Sequence, residues 1–405
     1  MTRSVVIVGG GVAGVGTAAA LRTGGFDGEL TLVDAGEFPY DRPPLSKDYL
    51  AGSKDLRAIA LQPEQWYAEQ RVRLVNRTVV TRLWPAEGKV ELSSGGLLSA
   101  DRVVLATGGG AARPPIAGAD SERVHVLRTA DDADRLRSAL LPGARVLVVG
   151  AGLIGAETAS TAVRLGCEVT LVDPVPVPIA FALGPELAAW LHGLHTVHGI
   201  ASVPTAVEWF ADRGPDGIDA QFACDTEPRR FDAVLLGVGM VPSVELAQAS
   251  GLEVDRGIVV DRGQVTSNPS VLAVGDPARV RDGGHLLPRV EHWEAAQQDG
   301  ARAAATILGK PQPPTTAPWF WTDRHGRHVE GVGHIGHAEH TVVRGSYNEP
   351  SFAVFGLARG QVVAAASVDD SAAVRAARRM IDRGLSVDAA RLADPTVNLR
   401  SLLRG

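Results

Sequence analysis

Ser4 to Val8 (SVVIV) is an unbroken apolar run, the pattern of a strand buried on both faces. Three glycines, Gly9, Gly11 and Gly14, follow it at GxGxxG spacing. Val12 to Arg22 is Ala-rich and reads as a helix that stops at Gly24-Gly25. Leu30 to Val33 is a second apolar run and ends on Asp34. This predicts one strand–helix–strand unit. The same pattern returns about 140 residues later. Arg145 to Val149 is a strand, Gly150, Gly152 and Gly155 repeat the spacing, Ala156 to Leu165 is a helix, and Glu168 to Val172 is a strand ending on Asp173. Further buried strands run into glycine: Val103–Ala106 into Thr107-Gly108, Ala233–Leu236 into Gly237, and Val271–Val274 into Gly275-Asp276. Pro311 to Pro318 carries four prolines in eight residues and reads as a linker. Beyond it the period shortens to β-like segments at Phe352–Leu357 and Gln361–Ala366, followed by a helix at Ala372–Arg383.

Each glycine turn carries a specific chemistry. Glycine lets the backbone bend tightly and approach a pyrophosphate, and the helix that follows offers free N–H groups and a partial positive charge. An acid closing the second strand accepts hydrogen bonds from an adenosine ribose. Asp34 stands 20 residues after Gly14, and Asp173 stands 18 after Gly155. Two such units predict two dinucleotide sites, one holding a resident flavin and one an exchanging nicotinamide, because hydride passes from nicotinamide to flavin. Asp276 would face the flavin's ribityl or phosphate region; taken alone, it is equally well a helix cap.

Composition narrows the field. The chain has 405 residues, room for two or three domains. Net charge is −6 with no basic block, which excludes nucleic acid as the expected partner. No apolar run is long enough for a membrane span, and the N-terminal run enters glycines without a small-residue cleavage site, so no secretory signal is expected. The two cysteines, Cys167 and Cys224, stand far apart, so any redox chemistry must come from a bound cofactor and the expected compartment is the cytoplasm. Only four of the 40 basic residues are lysines, which singles out Lys47. Histidines 325, 328, 334, 337 and 340 crowd the last third at spacings that fit no metal motif, and a solvated face is expected of them.

One segment is diagnostic. Asp41-Arg42-Pro43-Pro44-Leu45-Ser46-Lys47 resembles the DRPPLSK signature of the putidaredoxin-reductase-like ferredoxin reductases. The resemblance continues in order through Ala106-Thr107-Gly108, Gly155-Ala156-Glu157, Leu236–Leu246 with Gly239, Gly275-Asp276, Arg289–Gly300 with Glu291, His292 and Trp293, and Phe320–Asp323. It implies an α/β architecture like that of glutathione reductase, with two Rossmann-like domains and a C-terminal α+β domain. It implies FAD in a discontinuous domain of residues 1–112 and 240–316, NADH in residues 113–239, and a reductase domain in residues 317–405. It also implies that Lys47 lies near the flavin N5 and pairs with Glu157, that Glu291 and Trp321 border the isoalloxazine, and that Arg42 contacts FAD. A lysine there would stabilise electron density arriving on the ring. Unassigned, Lys47 is a solvated loop lysine and Trp321 a core anchor.

The implied activity is transfer of hydride from NADH to FAD, then of single electrons to a 2Fe–2S ferredoxin serving a P450 or Rieske oxygenase. A rubredoxin reductase, another NADH-dependent flavoenzyme, or a redox-sensing FAD/NADH interaction protein remain open. Nothing marks a dimer interface, and a monomer or weak homodimer is expected. The chain departs from the family's pattern in closing the second unit with Asp173 where relatives more often have Glu. Pro174 to Leu183 also lacks the arginine that relatives often place there, which implies weakened or atypical nicotinamide binding, with NADH still favoured over NADPH because an acid at Asp173 repels the extra phosphate.

Overall fold

The computed structural model describes residues 2–404. It divides into two compact units: residues 2–42, 54–110 and 240–315 in the first, and residues 43–53, 111–239 and 316–404 in the second. In the first unit, β1 (Ser4–Val8) leads through α1 (Val12–Thr23) to β2 (Glu29–Val33), and β1 and β2 pair in parallel. They sit inside an all-parallel sheet with strand order Val271–Ala273, Arg102–Leu105, β1, β2, Val72–Val75. Val5 and Ile7 face one core with Leu30 and Leu32, while Val6 and Val8 face another with Val33, Val103 and Leu105. Burial on both faces is why these strands read as continuous apolar runs rather than alternating ones. A long helix, Trp293–Leu308, lies against α1 with Gly300 at the crossing, where a side chain would collide with Thr17 and the Ala13 carbonyl.

The second unit repeats the arrangement with β3 (Arg145–Val149), α2 (Leu153–Arg164) and β4 (Glu168–Val172). Its parallel sheet runs Ala201–Val203, β4, β3, Ala233–Leu236, Val124–Val126. Helix α2 begins at Leu153, three residues before the start predicted from sequence, because its first turn includes Gly155, as the first turn of α1 includes Gly14. After β4, the short α3 (Ala180–Leu183) and then α4 (Pro185–Val197) follow. The C-terminal part of this unit is a five-stranded antiparallel sheet that opens with β5 (Trp319–Arg324) and β6 (Arg327–Val332), with the helix Ser371–Asp382 packed on it. The segment Pro43–Ser53 also belongs here: Thr161 donates to the Ser46 carbonyl (2.8 Å), and the Tyr49 hydroxyl bonds Asp134 (3.1 Å). The DRPPLSK stretch therefore changes unit between Arg42 and Pro43.

Candidate functional site

Both glycine turns close in the same way. The Gly9 N–H donates to the Val33 carbonyl (2.8 Å), and the Gly150 N–H donates to the Val172 carbonyl (2.7 Å). Gly9 and Gly150 adopt φ of 113° and 98°, where an L side chain is strained. A Cβ on Gly14 would overlap the Gly9 carbonyl oxygen, and one on Gly155 would overlap that of Gly150. Gly11 and Gly152, at the helix N-caps, face open space within 4 Å of where a Cβ would stand. Neither helix start has a side-chain cap, so its first N–H groups are left to a ligand. This cradle fits a pyrophosphate at each turn.

The acids hold the turns as well as closing the strands. Asp34 Oδ1 accepts from the Gly10 N–H (2.9 Å), and Asp173 Oδ2 accepts from the Ala151 N–H (2.8 Å). Gly10 lies so close to the Asp34 carboxyl that a Cβ there would be 2.7 Å from Cγ. Sequence reasoning missed Gly10, which stands between two motif glycines. Asp173 spends its other oxygen on the Val175 N–H (2.8 Å).

The structure brings Ala106 and Thr107 against Gly9, and Gly275 against the helix that follows it. The Ala106 N–H donates to the Val8 carbonyl, and the Ala106 carbonyl lies against Gly9. Thr107 Oγ1 donates to the Ser243 carbonyl (2.7 Å), and Gly108 turns the chain with φ 64°. Gly275 sits against Ala13 at the start of α1 and donates to Asp299 Oδ2 (3.2 Å). Asp299, unassigned from sequence, is pushed up to about 6 by burial, against the pull of Arg302 and the Gly275 N–H. The Asp276 carbonyl accepts from Arg289, which also pairs with Glu291 (2.9 Å). His292 caps the helix that opens with Trp293, whose Nε1 donates to Asp41 (2.8 Å). Arg42 is half-buried at the end of its stretch. In the second unit, Gly239 (φ 107°) lies two residues beyond Gly237, which packs on Gly155.

A second constellation centres on Glu157, one helical turn into α2. Its carboxylate is buried and accepts four hydrogen bonds. Oε2 takes Ser46 Oγ (2.5 Å) and Lys47 Nζ (2.8 Å); Oε1 takes Thr322 Oγ1 (2.8 Å) and the Asp323 N–H (3.2 Å). Lys47 also lies 3.9 Å from Asp323. Trp321, the neighbour of Thr322 on β5, stacks on Trp319 with centroids 4.9 Å apart. The buried Arg324 guanidinium is drawn down to about 10 by desolvation while Glu157 resists the shift, so the cation persists at neutral pH. One buried carboxylate thus serves two cations. Ser46 and Thr322 carry no sequence signal for this role.

The histidines depart only in part from the expected solvated face. His325, in left-handed backbone at the β5–β6 turn, bonds the buried His195 of α4 (Nε2···Nδ1, 2.9 Å) and stacks on His198 at 4.2 Å. His328 bridges Asp323 (2.6 Å) and Glu330 (3.0 Å), while His337 and His340 are exposed. Burial, then the nearby charges and imidazoles, push His195 down to about 2 and His325 down to about 4. The unfolded chain titrates near 6.5, so it takes up protons that the folded chain refuses. Their stabilisation is present above pH ~6.5 and is lost as pH falls from there through ~4 toward ~2. At pH 5, His195 is expected to contribute a loss of roughly 2 kcal/mol. Thermal melts at pH 7.5 and 5 should show a smaller fall for His195→Gln than for wild type. Equal falls would refute this account.

The two cradles and their acids define a two-dinucleotide oxidoreductase with an appended antiparallel domain. Residues 3–300 match the pyridine nucleotide-disulphide oxidoreductase family and residues 319–403 match the reductase C-terminal domain, and the chain belongs to that family. It is 38% identical to the anthranilate 1,2-dioxygenase system ferredoxin–NAD(+) reductase component of Burkholderia cepacia, over 98% of each chain. It is 35% identical to putidaredoxin reductase of Pseudomonas putida, over 99% of this chain and 96% of that one. The reductase in the crystal structure of the covalent putidaredoxin reductase–putidaredoxin complex superposes with a TM-score of 0.91 at 34% identity, covering 99% and 98% of the two chains. Among the described residues, no helix is long and apolar enough to cross a membrane.

Proposed function

We propose that this chain is the reductase of an oxygenase electron-transfer chain, accepting hydride from NADH and passing electrons singly to a 2Fe–2S ferredoxin that serves a P450 or Rieske oxygenase. The observation that carries this reading is the duplicated cradle: two glycine turns of one geometry, each open at its helix start and each closed by an acid. FAD, when bound, supplies the two-electron to one-electron conversion that no side chain of this protein can perform. Gly9, Gly11, Gly14 and Asp34 hold its adenosine diphosphate half, with Ala106–Gly108, Gly275 and Asp276 beside them. Gly150, Gly152, Gly155 and Asp173 hold NADH. Asp173 disfavours a 2′-phosphate by like charge, which selects NADH over NADPH. Glu157 fixes Lys47 in position as a cation, and Thr322 and Ser46 in turn fix Glu157. The thiols are free, in keeping with a cytoplasmic protein.

Anaerobic mixing of the yellow protein with NADH tests the reading. The flavin colour should bleach within the mixing experiment, and a 2Fe–2S ferredoxin should accelerate steady NADH oxidation. An unbleached flavin, or turnover with quinone or oxygen but with no iron–sulfur protein, would overturn it.

A further inference from the structure

The loop that follows Asp173 is built unlike a solvent loop. From Pro174 to Gly184 it contains no charged residue. Val175 is 55% exposed and Phe181 is 58% exposed, the latter a large aromatic held at the surface. Ile179 adopts φ 59°, a left-handed conformation that is a genuine outlier for a β-branched residue. Such strain persists only where the surroundings over-determine it. Here they do. Val177, Ile179, Ala180 and Leu183 pack in one apolar cluster with Leu153, the first helical residue after the Gly150 turn.

Phe181 is propped from beneath. The His334 ring stacks on it at 5.3 Å and 28°, and the His337 ring meets it edge-on at 5.1 Å. Gly336 lies under the ring, where a Cβ would overlap it. Burial, then the neighbouring His337, hold His334 below its ordinary pKa. A rigid aromatic with one face supported and a large exposed fraction is a preorganised stacking platform.

Position identifies the occupant. Ligands of an open parallel sheet sit beyond the carboxyl ends of its strands, and the acid closing the second strand marks the adenosine ribose. A loop leaving that acid flanks the adenosine. We propose that this loop is an apolar clamp for the adenosine half of NADH, with Phe181 stacking on the adenine in place of a charged grip. The proposal rests on reading the Gly150 turn as the NADH site. It makes the adenine contact itself only weakly dependent on salt, because the loop carries no charged side chain.

Calorimetric titration of the oxidised holoprotein with ADP-ribose, and separately with nicotinamide mononucleotide, tests it. Phe181→Ala should weaken ADP-ribose about tenfold, the size expected for loss of one base–aromatic stack, and leave the mononucleotide unchanged. Phe181→Tyr should bind as wild type, and Gly336→Ala, which unseats the ring, should reproduce the loss. The ratio of wild-type to Phe181→Ala affinity for ADP-ribose should change less than about threefold between ~0.05 and ~0.5 M salt. Unchanged ADP-ribose binding in Phe181→Ala, equal loss of both ligands, or a steep salt dependence of that ratio would overturn the clamp while leaving the site reading intact. Failure of wild-type protein to bind ADP-ribose at all would overturn the site reading, and the clamp with it.

Discussion

Glu157→Ala is expected to destabilise the protein by roughly 3–5 kcal/mol, the range for stripping one partner from a buried ion pair. Four donors lose their acceptor at once: Ser46 Oγ, Lys47 Nζ, Thr322 Oγ1 and the Asp323 N–H. The buried Arg324 loses the carboxylate that compensates it. Unmet buried donors cost about 1–3 kcal/mol each where water cannot reach them, so the upper part of the range applies if the cavity stays dry and the lower part if it hydrates. The melting temperature of the holoprotein should drop by about 5 °C. Glu157→Gln should cost less, because shape is kept, but its amide nitrogen must face a pair of donors. Adding Lys47→Met to Glu157→Gln should then recover about 1–2 kcal/mol by removing one uncompensated cation. A Glu157→Ala protein that melts with wild type would show that the carboxylate is not the keystone of this cluster.

Both strand–helix–strand units were legible because their signal is local. Ser4–Val8, Arg145–Val149 and Glu168–Val172 are read directly from apolar runs, and the structure keeps the same boundaries. The start of α2 was misplaced because the helix was read as beginning after Gly155, which lies inside its first turn as Gly14 lies inside the first turn of α1. What escaped was non-local. Ser46 reaches Glu157 across 111 residues, and Thr322 reaches it across 165. A single hydroxyl has no period, and nothing in its neighbours reports which buried carboxylate it will meet. His325 likewise looked like part of a polar loop, and only the fold brings it onto His195, 130 residues away. The DRPPLSK stretch was read as one block, yet its anchoring contacts from Pro43 onward lie in the second unit.

The repeated cradle allows the two sites to be separated by one kind of substitution. Gly14→Ala and Gly155→Ala each place a methyl where the structure has a carbonyl oxygen, Gly9 in one turn and Gly150 in the other. Neither backbone can yield easily, since Gly9 and Gly150 are each tied to the adjoining strand through their own N–H groups. Steric overlap of this kind costs about 1–3 kcal/mol, enough for a loss in dinucleotide affinity of up to ~100-fold. The same lesion should have two different consequences. Gly14→Ala should purify largely colourless, with flavin content recovered only in excess FAD. Gly155→Ala should purify yellow and bleach with dithionite, but require up to ~100-fold more NADH to reach half-maximal bleaching. Absorbance after purification and anaerobic NADH titration read the two outcomes independently. Colourless Gly155→Ala beside yellow Gly14→Ala would exchange the assignments of the two turns. Two variants that both keep flavin and bleach at wild-type NADH concentrations would mean that neither cradle carries the pyrophosphate, and the functional reading would fall with it.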